Sequence, residues 1–192
     1  MGTDSFASRV FAGPAVVLAD MLDARERRAA EQRRLLAGMP EGSALLSATL
    51  AIPGPVKTSP VLERIFDELV AAAAAELGDA PVSSVVEVRE ATGPERLEVV
   101  GMPALELKRA MVRVEEGHPL GRLVDLDVLG MSDGVPTPVS RTELGLPPRT
   151  CLVCGRMAKA CARSRAHSIA EMQAKIAAII EEGGFEDCGK QG

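Results

Sequence analysis

Two aspartates one residue apart, Asp125 and Asp127, lie in the run His118-Pro119-Leu120-Gly121-Arg122-Leu123-Val124-Asp125-Leu126-Asp127-Val128. On a strand, successive side chains alternate faces. Val124, Leu126 and Val128 would then enter a core, and Asp125 and Asp127 would share the other face with Cβ atoms ~7 Å apart. Two carboxylates held that close repel and call for a compensating cation. Mg²⁺ prefers such hard oxygen ligands and also binds phosphates, so the pattern suits phosphoryl or nucleotidyl transfer. Gly121 would admit a backbone close to a phosphate, and Arg122 would add positive charge. His118 could accept a proton or simply hold the loop. The plain alternative is a half-exposed strand with ordinary polar residues on its wet face. The scarcity of Asp in strands weighs toward function.

Two further groups could do chemistry. Pro53-Gly54-Pro55-Val56-Lys57-Thr58-Ser59 reads as a stiff turn between a strand and a helix. Helix starts present N–H donors, so with Lys57 this turn could hold an anion. It is not a P-loop, because Val56 and Ala51 stand where that loop needs glycines. The other group is Cys151-x2-Cys154-x6-Cys161-x5-His167. Three thiols and an imidazole can make a tetrahedral zinc site. Reduced, half-buried residues that bind nothing are the alternative, and a catalytic Cys–His pair ranks below both. Cys188, near the end of the chain, has no assigned role. Around the cysteines, Arg149, Arg156, Lys159, Arg163 and Arg165 form a basic stretch in a chain whose net charge is -5. That asymmetry suits a multiply phosphorylated ligand, or else a solvated face.

The elements that must position these residues can be read from periodicity. Residues 1–13 read as a loose end. A helix is expected from about Pro14 to Ala37, with Val17, Leu18, Met21 and Leu22 as its apolar stripe. Its second half carries Arg25, Arg27, Arg28, Arg33 and Arg34 against Glu26 and Glu31. A strand follows at Leu45–Ile52, then a helix capped by Ser59 with Pro60 in its first position. A hairpin turning at Thr92–Glu95, a helix over Ala104–Glu116 and a strand over Leu120–Leu129 come next. Gly130–Pro148 is looser. The last helix starts at Ser168, with Glu171 completing a capping box, and ends at Gly183-Gly184. This order predicts an α+β fold: one domain over 14–183, with a mixed or antiparallel sheet flanked by helices, and a loose tail over 184–192.

Composition narrows the function. The acidic balance argues against a general nucleic-acid binder. The absence of Trp and Tyr, with only four Phe, argues against a base-stacking platform. No apolar run reaches the ~20 residues of a membrane helix. The N-terminus lacks the basic and apolar regions of a secretory signal, so a cytoplasmic protein is expected.

Four stretches, in order, resemble one known family. They are Pro53-Gly54-Pro55-Val56-Lys57, the His118–Val128 run, Leu146-Pro147-Pro148-Arg149-Thr150-Cys151-Leu152-Val153-Cys154, and Cys161-Ala162-Arg163 with His167. The resemblance, from about Leu45 to Ile180, is to the apo-citrate lyase phosphoribosyl-dephospho-CoA transferases. It implies a donor, 2'-(5''-triphosphoribosyl)-3'-dephospho-CoA, and as acceptor a serine of the citrate lyase acyl-carrier subunit. A phosphodiester would form and diphosphate would leave. On that footing Asp125 and Asp127 would hold Mg²⁺, with Arg122, Lys57, Arg149 and Arg163 around the phosphates. A nucleotidyltransferase-like sheet is an analogy only: a Gly-Ser pair and a third carboxylate are expected there, and neither is assigned. Arg25, Arg28 and Arg34 become a candidate dock for an acidic carrier. Two rivals stand: the matching transferase of malonate decarboxylase, and a non-catalytic module stabilised by zinc.

Overall fold

The computed structural model describes residues 6–132 and 134–185. Its helices are α1 (Phe6–Val10), α2 (Leu18–Ala37), α3 (Pro60–Leu77), α4 (Ala104–Gly117), α5 (Ala158–Ser164) and α6 (Ile169–Glu182). Its strands are β1 (Ala44–Leu50), β2 (Val82–Glu90), β3 (Gly93–Val100), β4 (Val124–Ser132) and β5 (Val135–Pro138). They form one sheet in the order β2-β3-β1-β4-β5, antiparallel at every pairing. The fold is α+β in a single domain, and the choice left open between a mixed and an antiparallel sheet falls to antiparallel.

One sheet face carries the main core. Leu46, Ala48, Val124, Leu126 and Val128 meet Leu62, Ile65, Phe66 and Leu69 of α3, Leu107 and Met111 of α4, and Ile176 and Ile180 of α6. These apolar positions recur at i, i+3, i+4 and i+7, so the helices bury one stripe each. Ser59 caps α3 as expected: its Oγ accepts from Leu62 N–H at 3.2 Å, with Pro60 in the first turn. Ser168 and Glu171 form the capping box that starts α6.

Several expectations change. Residues 6–10, read as part of a loose end, form α1, and Val10 is fully buried. The long helix begins at Leu18 rather than Pro14. Residues 14–16 are held extended instead, with Ala15 bridging Val56 and Val16 N–H donating to the Pro55 carbonyl. Of the stripe assigned to its first turns, Val17, Leu18 and Leu22 are exposed and Met21 is only half-buried. α2 buries Ala24, Leu35 and Leu36 instead, the last two against the apolar end of the sheet's other face, at Leu45, Leu97 and Val99. The hairpin turns two residues earlier, at Ala91-Thr92, and Gly93-Pro94 already belong to β3. Within the loose stretch, Val135–Pro138 makes the edge strand β5, whose two prolines discourage further pairing. Cys188 lies outside the described residues.

Candidate active site

Strand β4 presents its residues as the alternation requires: Val124, Leu126 and Val128 are buried, Asp125 is half-buried and Asp127 is exposed. A short 3₁₀ turn, Gly121–Leu123, precedes the strand, so the strand starts later than expected. Cross-strand register places Glu95 of β3, Thr49 of β1 and Asp125 of β4 in one row. Leu97, Ser47 and Asp127 make the next row, and Val99, Leu45 and Leu129 the third. Cross-strand partners share a face. This face therefore grades from apolar, beneath Leu35 and Leu36, to polar around the aspartates.

Arg149 closes the polar end. Its Nη1 is ion-paired with Asp125 Oδ1, and its Nη2 donates to the Val124 carbonyl at 3.1 Å. Burial pushes the Asp125 carboxyl above its ordinary value; Arg149 opposes the shift and the neighbouring Asp127 adds to it. Arg122 donates to the Thr150 carbonyl. Its pKa is lowered by burial first, then by the charges of Arg149 and Arg141. Glu115, paired with Arg141, opposes that shift.

Lys57 turns its Nζ to the Ile52 carbonyl at 2.6 Å, and burial lowers its pKa. With Thr49, Glu95, Arg25 and Arg28 it lines a pocket of about 140 Å³. The start of α3 offers an anion less than its sequence suggested. Ser59 takes the Leu62 N–H, and it is roofed by α1 through a 2.6 Å bond from its Oγ to the Val10 carbonyl.

The other named residues sit as follows. A Cβ on Gly121 would lie 2.3 Å from the Val114 carbonyl oxygen, so close packing on α4 accounts for this glycine without a phosphate. His118 accepts from Leu120 N–H at 3.1 Å on Nδ1, and its Nε2 lies 3.3 Å from Glu68 of α3. These partners belong to the helical layer, not the aspartate face. Arg163 is exposed on α5.

Cys151, Cys154, Cys161 and His167 do converge: one ligand atom from each lies within 4.8 Å of the others. Residues 149–158 form a tight hairpin. Cys151 N–H donates to the Arg156 carbonyl, Ala158 N–H donates to the Arg149 carbonyl, and Gly155 takes the turn at φ 71°. α5 then supplies Cys161, and Arg165, at φ 47°, turns the chain back so that His167 arrives. The Arg156 guanidinium, then His167, hold the Cys154 thiol down to about 6, while burial pushes Cys161 up to about 11. This donor set is compatible with a structural zinc ion.

Sequence reasoning missed several residues. Glu95 is in phase with the inward Leu97 and Val99, a carboxylate at a covered position, and it pairs with Arg28 at 2.7 Å. Lys108 and Glu115, seven residues apart on the buried stripe of α4, bind the outer edge of β4. Lys108 Nζ donates to the Leu126 carbonyl at 2.7 Å, and Glu115 accepts from Leu126 N–H at 3.2 Å. Arg141 reaches Glu115 at 3.1 Å. Charges at apolar helix positions were the available signal.

Fold and site together define a single-domain α+β protein with Asp125, Asp127, Glu95 and Arg149 gathered toward one end of a face of an antiparallel sheet. The chain belongs to the apo-citrate lyase phosphoribosyl-dephospho-CoA transferase family, whose model matches residues 16–183. A Streptococcus pyogenes serotype M18 relative, named "Probable apo-citrate lyase phosphoribosyl-dephospho-CoA transferase", is 46% identical over 170 residues, 88% of each chain. An apo-citrate lyase phosphoribosyl-dephospho-CoA transferase of Shigella flexneri serotype 5b is 35% identical over 170 residues, 88% of this chain and 90% of the relative. Among the described residues, no helix is long and apolar enough to cross a membrane.

Proposed function

We propose that this protein transfers the prosthetic group of 2'-(5''-triphosphoribosyl)-3'-dephospho-CoA to a serine of the apo-citrate lyase acyl-carrier subunit. Family membership over residues 16–183 carries this reading. The serine oxygen attacks the phosphorus nearest the ribose. A P–O bond forms there, the bond to the departing diphosphate breaks, and the hydroxyl proton leaves to a base. Such chemistry depends on positioning and on neutralising charge.

The aspartate face fits that need. Asp125 and Asp127 offer hard oxygen ligands side by side, and Asp125 already holds a cationic partner in Arg149. These two carboxylates would hold Mg²⁺, which when bound neutralises phosphate charge and aligns the triphosphate. Arg149 neutralises Asp125 and, with Arg122, faces the phosphates. Lys57 stands across the same sheet face, where Thr49 is the cross-strand neighbour of Asp125. His118, turned toward Glu68 and Leu120, anchors the loop entering β4. The cysteines and His167 would hold a structural zinc ion outside the aspartate face.

The test is intact-mass spectrometry of the apo-carrier after incubation with this protein, Mg²⁺ and the donor. A gain equal to the donor minus diphosphate is expected. No gain, with folded protein and a verified carrier, overturns the reading. A gain confined to the malonate decarboxylase carrier reassigns the acceptor.

A further inference from the structure

The segment from Arg149 to His167 has little to hold it in shape. Only Cys161 in it is buried and only Leu152 packs against the main core, so apolar burial does little to order it. Yet four ligand atoms from three separate pieces of backbone meet at one point. Cys154 and Cys161 Sγ atoms are 3.5 Å apart, and His167 Nε2 is 3.2 Å from Cys154 Sγ. A tetrahedral zinc ion with ordinary Zn–S and Zn–N bonds spaces such pairs about 3.8 and about 3.6 Å apart. Three thiolates and a neutral imidazole leave the ion's surroundings with one surplus negative charge. Arg156 Nε, 3.3 Å from Cys154 Sγ, offsets it.

The same hairpin carries the arginine that closes the aspartate face. The Arg149 carbonyl accepts from Ala158 N–H at 3.0 Å, and Thr150 bridges Met157. The Thr150 carbonyl in turn accepts from Arg122. The cysteine loop is thus tied at its base to both arginines beside β4.

We propose that Cys151, Cys154, Cys161 and His167 bind one zinc ion, and that this ion positions Arg149 against Asp125. The metal takes no part in the chemistry. It orders a loop that little apolar burial holds, and through the hairpin it fixes the guanidinium that neutralises Asp125. The part played by Arg149 in transfer rests on the proposed function. The metal and its coupling to Asp125 do not.

The experiment uses the full chain, purified without chelator. Elemental analysis is expected to find one zinc per chain, lost on Cys154→Ser and kept in His167→Cys, which still offers four ligands. Cobalt substitution is expected to give the visible absorption of a tetrahedral thiolate site. A chain that holds no zinc and takes up none on titration overturns the site, as does a Cys154–Cys161 disulfide in its place. Coupling is read by competition with a chromophoric chelator. Because linkage is reciprocal, Asp125→Asn is expected to weaken zinc binding at least about fivefold, although Asp125 is not a ligand. Unchanged zinc affinity in Asp125→Asn overturns the positioning role. None of these readouts requires transfer, so failure of the proposed function would show separately, in the mass of the carrier.

Discussion

Asp125 sits between opposing influences. Its side chain is only 46% exposed and has Arg149 on one side and Asp127 on the other. Asp125→Asn or Asp127→Asn is expected to lower kcat at least about 100-fold, the scale of losing a charge that stabilises transfer. Circular dichroism should be unchanged, since both side chains point away from the main core. Near-normal turnover in either variant would remove that residue from the site. The raised Asp125 pKa also has a sign. The folded state holds this proton more tightly than the unfolded chain, whose aspartate titrates near ~3.9. The resulting stabilisation is present below that value and is lost as pH rises through the higher folded one. Asp125→Asn should therefore gain stability relative to wild type as pH rises across that interval, read from urea midpoints. At this scale the sequence was informative about the aspartates and the Cys/His cluster, because alternation and spacing survive folding. It was silent on Glu95 and Thr49, which reach the site only through the pairing of β3 and β1 with β4.

Strand β4 carries the aspartates; β5 pairs with the second half of its outer edge, and the first half is secured mostly by side chains. Arg149 takes the Val124 carbonyl, Lys108 and Glu115 take the Leu126 carbonyl and N–H, and Val139 N–H donates to Val128. Glu115 is 3% exposed and Lys108 5%. Glu115→Leu leaves Lys108 buried without its carboxylate and should cost about 3–5 kcal/mol, measured by urea unfolding. The double variant Lys108→Met/Glu115→Leu should recover part of that loss, because no lone buried charge remains. Gly121→Ala forces a Cβ onto the Val114 carbonyl, a backbone atom that cannot turn aside, and should cost about 3 kcal/mol. Transfer should fall with it, since the turn that aims Arg122 must move. Helices α3, α4 and α6 were legible because caps and apolar stripes are local. The first turns of α2 misled because periodicity names an apolar face without saying what covers it.

At the scale of the molecule, α2 lies over the same sheet face as the aspartates, which bears on carrier docking. Of the arginines first considered, Arg28 is turned inward onto Glu95 and Arg25 lines the Lys57 pocket. Arg34 faces outward beside Arg33, paired only with Glu31 of its own helix among the bonds described. If an acidic carrier docks there, Arg33→Glu/Arg34→Glu should raise the carrier KM about tenfold, as electrostatic steering allows, and leave the donor KM unchanged. An unchanged carrier KM would return this part of α2 to a solvated surface. The sequence by itself determined the α+β class, the main helices, the strand that holds the aspartates and the ligands that could take zinc. Each of these rests on period, caps or spacing, which act over a few residues. Tertiary structure alone decided that the sheet is antiparallel and that Glu95, Thr49 and Asp125 form one row. It also decided that His118 faces the helices and that the cysteine loop ends on Arg149. Those facts depend on which strand lies beside which, and contacts as distant in sequence as Thr49 with Asp125 leave no periodic trace in the chain.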